Sequence, residues 1–437
     1  MSHQTRTNNW VDGLRGIAAL VVVTYHLCSS FANWLNSPAT QENGEVFFFQ
    51  YPFLRLVVAG RLAVALFFII TGYVNSFYSF KQIRAGDHTL VLSKLSRNTI
   101  TRVGKLVVPT NIAIFFSWLV CQLDGYRVAK QVDSSWIRVV AAGRGPTFSR
   151  AILGLYRNLV LFWHGGTSPY DPVYWTIPFF LKGSMLVYLT LMATTFTRPK
   201  FTKWLLIFLY CFAWSGGQAL METNVYAGMF LAELNADYGA QAPSMMPWPI
   251  SVLMMLGGLF LASFPDENPT WVPWSRALNS LAQYIVPTGG EINRYVVSFG
   301  TTLFVFGVFF SRQGRQILSH PFMNFLGRIS FPIYLLHDTL IRTILSWLIY
   351  RQSIFQKGLS PTDHEGKPMW FERGGTLTFA IAMPLFYIIL IYIAHLWTIY
   401  VDPPCGRLVL WFSKQAFGED DDSALMNKEK LEGILKT

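Results

Sequence analysis

Arg15 and His26 stand eleven positions apart in the stretch NWVDGLRGIAALVVVTYHLCSSF, residues 9–31. An imidazole titrates near neutrality, so it can take a proton from a hydroxyl as that oxygen attacks an electrophile. A guanidinium is a planar fork that grips phosphate or stabilises developing negative charge. Along an α-helix, eleven residues return to the same face about 16 Å further on. An Asp-Gly-Leu-Arg turn runs into the apolar helix that holds the histidine. Within a bilayer an ionisable group costs at least ~2.5–3.5 kcal/mol, so it persists mostly for a reason. Each residue taken alone has a plainer reading. A lone membrane histidine more often packs against a neighbouring helix, and Arg15 can snorkel or pair with Asp12 three residues back.

The elements that must position these two residues are membrane helices. Of 437 residues, 52% are hydrophobic and only 14% charged, where a soluble chain has about a quarter charged. The net charge of +11 then reads as basic cytoplasmic loops facing anionic lipid. No aromatic-basic nucleic-acid module is visible, so a nucleic-acid partner is not expected. The cysteines Cys28, Cys121, Cys211 and Cys405 are scattered without a CxxC pair, which supports neither a disulfide framework nor a metal site. Residues 1–10 are polar with only Arg6 basic, and no cleavage site follows, so the first apolar run reads as a retained span.

Apolar runs place about ten spans, at 14–34, 57–80, 103–123, 173–196, 203–221, 223–238, 249–265, 293–311, 327–350 and 376–400. The sixth is short and carries Glu233, Asn235 and Asp237. The expected fold is an all-α polytopic transmembrane bundle. A cytoplasmic N-terminus (1–13) precedes one membrane domain (14–400), and a polar cytoplasmic tail follows (413–437). Lys81, Arg84, Lys94, Arg97, Arg102 and Lys105 after the second span orient the bundle with these charges and both termini in the cytoplasm. Residues 124–172 are basic yet fall outside, and within them 150–163 reads as an amphipathic helix on the membrane. Prolines 109, 178, 332 and 384 interrupt spans and suggest an internal cavity.

The run Asp12-Gly13-Leu14-Arg15-Gly16 with His26 at this distance resembles the opening of the acyltransferase-3 family of integral membrane acyltransferases, with a fungal flavour. Four later stretches resemble the same family: residues 60–73, ending in Thr71-Gly72-Tyr73; the basic run Arg97, Arg102, Lys105 before Pro109; Trp175-Thr176-Ile177-Pro178 through Met185; and Phe325-Leu326-Gly327-Arg328-Ile329-Ser330 through His337. One departure is plain. Where fungal relatives carry an acidic residue in the fourth stretch, this chain has Phe180, with Asp171 and Tyr174 as nearby stand-ins.

The resemblance implies an O-acyltransferase in which His26 is the catalytic base and Arg15 assists. Arg97, Arg102 and Lys105 would hold the phosphates of an acyl-CoA donor, acetyl-CoA being the simplest. Asp171, Tyr174, Trp175 and His337 are candidates to line the substrate site, and His164 to line an entrance. No tightly bound cofactor or metal is implied. The acceptor would be a hydroxyl of a sugar, lipid or secondary metabolite, and the location an endomembrane such as the endoplasmic reticulum, or the plasma membrane. No P-loop, GxSxG, HExxH or paired-carboxylate pattern offers a different chemistry. Two other readings stay open: a proton-coupled transporter using His26 and His337, and a family member impaired in catalysis by Phe180.

Overall fold

The computed structural model describes residues 9–359, 362 and 369–417. Among these residues seventeen α-helices follow one another: α1 (Trp10–Phe31), α2 (Gly60–Arg84), α3 (His88–Gln122), α4 (Ser135–Val140), α5 (Phe148–Leu161), α6 (Ile177–Thr194), α7 (Pro199–Ser215), α8 (Glu222–Tyr238), α9 (Trp248–Ala262), α10 (Pro273–Ala282), α11 (Ile292–Phe310), α12 (Arg312–Leu318), α13 (Pro321–Arg328), α14 (Ser330–Leu340), α15 (Ser346–Lys357), α16 (Thr376–Tyr400) and α17 (Asp402–Phe417). Among the described residues there is no strand; Val132 and Phe371 form an isolated backbone bridge.

Among the described residues, six helical segments are long and apolar enough to cross a membrane, or seven if the pair α8 and α9, bent by 113°, counts as one span. The expected run at 327–350 is not one continuous α-helix. It divides at the α13–α14 junction and again at a π-helical turn, Ile341–Leu345, between α14 and α15. The expected run at 203–221 is the 17-residue α7. Outward faces carry the apolar side chains that lipid requires: on α16, Ile388 is 64% and Tyr392 61% exposed.

Three readings change in detail. The Asp-Gly-Leu-Arg run is not a turn but lies inside α1, which Asn9 caps by accepting the Asp12 amide at 2.8 Å. Its glycines serve close packing instead: a Cβ on Gly13 would lie 1.9 Å from the Leu318 carbonyl oxygen, and one on Gly327 would lie 2.0 Å from that of Asp12. The basic stretch after α2 is largely helical, because α3 begins at His88. The expected polar tail begins within a helix: α17 continues to Phe417 with Ser413 buried, while Glu419 to Asp422 and residues 1–8 lie outside the described residues.

The polar character of the sixth run also finds its cause. Arg84 at the end of α2 pairs with buried Glu233 and sits 3.0 Å from Asp237, which also meets Lys203. Glu233 and Asp237 of α8 are therefore matched by α2 and α7 rather than left in lipid. The amphipathic segment expected at 150–163 is α5, with Ile152, Leu153 and Tyr156 exposed.

Candidate active site

Helix α1 carries the two leading residues at opposite ends, and each end has its own surroundings. Around Arg15 there is a cavity of about 190 Å³ to which Asn75 of α2, Arg102 and Lys105 of α3, Phe180 of α6 and Tyr334 of α14 contribute. Arg15 lies 3.3 Å from Asp12. Arg102 donates from Nε to Ser184 Oγ at 3.0 Å, and Asn75 donates to the same oxygen at 3.1 Å. Ser184 in turn donates to the Phe180 carbonyl at 2.8 Å. One hydroxyl thus sets the direction of the Arg102 guanidinium. Among the described residues lining the cavity none is acidic, so three cationic side chains face an uncharged remainder. Phe180 packs against Phe68 with ring centres 4.8 Å apart, which explains why an apolar side chain is accommodated here.

At the other end, half-buried His26 sits among rings: Tyr25 at 5.1 Å, Trp136 at 5.4 Å and His337 at 5.3 Å between centres. Trp136 belongs to α4, in the loop region 124–172, and Ser134 just before it donates to the Ser30 carbonyl at 2.6 Å. That region therefore covers the His26 end of α1, opposite Arg15. His337 is fully buried, and its Nδ1 lies 2.8 Å from the Tyr334 carbonyl and 3.2 Å from that of Ile333.

Tyr334 links the two ends. Its ring lines the cationic cavity and lies 5.8 Å from the ring of His337. Its hydroxyl bonds Thr176 at 2.8 Å and donates to the Val173 carbonyl. Ser330, Tyr334 and His337 are spaced i, i+4, i+7 and so share one face of α14.

Just beyond His337 lies a buried ion cluster. Arg342 is 2.9 Å from Asp338 and 3.2 Å from Asp171, with all three side chains at 0% exposure. It also donates to the Val140 carbonyl at 3.1 Å and stacks over Tyr126 at 4.4 Å, and Thr339 donates to Asp171 at 3.3 Å. Outside the spans, at the His26 end, burial raises the Asp266 carboxyl above its ordinary range against the pull of Arg61 at 2.7 Å.

The structure brings Arg15, Arg102 and Lys105 to one cavity but not Arg97. Five residues before Arg102 turn the helix through about 140°, and Arg97 lies over the Phe417 ring at 5.4 Å instead. Asp171 and Tyr174 are not at the cavity; Asp171 holds Arg342, and the Tyr174 hydroxyl donates to the Leu335 carbonyl. Trp175 packs edge-on to Phe179 at 6.1 Å, and the His164 ring meets the Val160 carbonyl at 3.1 Å. The sequence reading singles out neither Ser184 as an anchor nor Asp338 and Arg342. For the latter a signal exists, two opposite charges four residues apart inside an apolar run.

The acyltransferase-domain family profile matches residues 8–401. O-acetyltransferase PaAT-1 of Phomopsis amygdali is 26% identical over 389 residues, 79% of this chain and 73% of that protein. Acyltransferase clz18 of Cochliobolus lunatus is 23% identical over 464 residues, 92% of this chain and 94% of that protein. No solved structure matches the chain significantly.

Proposed function

Because the chain belongs to the acyltransferase-3 family and is a multi-pass membrane O-acyltransferase, we propose that it moves an acyl group, acetyl in the simplest case, from acyl-CoA to a hydroxyl of a secondary metabolite, lipid or sugar. The observation that carries this reading is the division of α1: three cations around a cavity at one end, a histidine among rings at the other. A donor with an anionic nucleotide and a distant thioester suits that arrangement. The phosphates rest on Arg15, Arg102 and Lys105, and the pantetheine arm runs along α1 past Tyr334 to His26. The basic residues around α3 favour a cytoplasmic donor side.

The reaction is a single displacement at the thioester carbonyl. His26 accepts the proton of the acceptor hydroxyl as its oxygen forms the new C–O bond. The tetrahedral intermediate collapses, the C–S bond breaks, and the imidazolium returns its proton to the departing thiolate. The ester and the free thiol of CoA leave. Placement of both substrates in a site with little water supplies much of the rate. The name of the Phomopsis relative supports acetyl as the group moved.

The test is untargeted mass spectrometry of metabolites, lipids and glycans. Cells making the wild type are compared with cells making His26→Ala at equal membrane abundance. Products heavier by one acyl unit should be present in the first and lost at least ~100-fold in the second. Identical profiles containing such products would remove His26 as the base.

A further inference from the structure

His337 Nδ1 has two oxygens within reach, and both are backbone carbonyls, of Tyr334 at 2.8 Å and Ile333 at 3.2 Å. A carbonyl only accepts, so this nitrogen carries the hydrogen and the neutral ring keeps its lone pair on Nε2. That Nε2 is buried and has no partner among the described residues. His26 Nδ1 is likewise buried and without a partner, on a ring whose centre is 5.3 Å away. Two buried, unsatisfied ring nitrogens on neighbouring rings are costly apart and satisfied together.

Resting on the reading of His26 as the base, we propose that His337 is its positioning residue: His337 Nε2 accepts the Nδ1 hydrogen of His26 once the rings turn to bring the two nitrogens together, which leaves His26 Nε2 bare to take the acceptor's proton. The proton then cycles only through His26 Nε2, from the acceptor hydroxyl to the thiolate, while the shared hydrogen stays on Nδ1. The single Nδ1 hydrogen of His337, shared between the Tyr334 and Ile333 carbonyls, fixes the direction of its ring. Asp338 and Arg342 tie the same stretch of chain to Asp171. Phe180 offers no acceptor for this duty and packs on Phe68 instead. A fixed neighbour that selects tautomer and ring direction is what an imidazole base requires.

Two substitutions separate this role from packing. His337→Asn keeps an amide N–H near the Nδ1 position, able to reach the same carbonyls, but has nothing at the Nε2 position. His337→Gln carries an amide oxygen out to that position. Membranes containing wild type, His26→Ala, His337→Asn or His337→Gln at equal abundance are given radiolabelled acetyl-CoA, and label in extracted products is measured against donor concentration. His337→Asn should lower kcat about 100-fold with KM for acetyl-CoA within twofold, and His337→Gln should recover at least tenfold of that loss. If His337→Asn keeps a third or more of wild-type kcat, or if Asn and Gln lose it equally, the assignment is overturned, while an inactive His26→Ala leaves the proposed function standing. A wild type that transfers no label removes both.

Discussion

Replacing Arg102 with Gln should raise the KM for acyl-CoA by about 10–150-fold and leave kcat within about twofold. The reasoning begins at Ser184, whose hydroxyl has one hydrogen and two lone pairs. All three are used: it donates to the Phe180 carbonyl at 2.8 Å and accepts from Arg102 at 3.0 Å and Asn75 at 3.1 Å. Arg102 is therefore held through Nε, and its terminal amino groups can meet an anion in the cavity. Hydrogen bonds to charged groups contribute about 1.5–3 kcal/mol, and each 1.4 kcal/mol is tenfold in affinity, which yields the stated range. The effect should fall on KM, because Arg15 in the same cavity is about 16 Å along α1 from His26. Ser184→Ala removes the anchor but not the charge, so a loss of about 1 kcal/mol, or fivefold in KM, is expected. Initial rates of label transfer over a range of acetyl-CoA concentrations measure both variants. A fall in kcat at unchanged KM would mean that this cavity does not hold the donor's anionic groups.

Two further perturbations probe the same architecture. Phe180→Glu places a carboxylate beside Arg15, Arg102 and Lys105, where a unit charge at about 6 Å and an effective dielectric of about 20 interacts by about 3 kcal/mol. It should compete with the donor's phosphates and raise KM by tenfold or more. Faster transfer by Phe180→Glu would instead identify the wild type as catalytically impaired. Gly228→Ala adds a Cβ at 1.9 Å from the Ile69 carbonyl oxygen in the tight α2–α8 crossing, and overpacking of this kind costs about 1–3 kcal/mol. Its detergent-solubilised form should unfold at a lower temperature by fluorescence-monitored melting, and an unchanged Tm would show that the crossing relaxes freely.

What the sequence determined by itself is what one helix can encode. Low charge and long apolar runs require an all-α membrane bundle, because only internally bonded helices satisfy their backbone there, closed barrels aside. The spacing of Arg15 and His26 places them on one face of α1 at opposite ends, since helical geometry is local. The motif stretches were likewise legible, though part of their meaning was packing: Gly13 and Gly327 are there to let backbones touch. Tertiary structure decided which helices meet. It brought Arg102 and Lys105 of α3 to Arg15, left Arg97 on another face, set Asp171 against Arg342, and put His337 beside His26. It also decided that the polar residues of α8 are answered by Arg84 and Lys203, and how the run at 327–350 is divided. The physical reason is that apolar helix faces are nearly equivalent in lipid. Periodicity tells which residues share a face, but the choice of partner rests on small-residue packing and matched polar groups between distant segments.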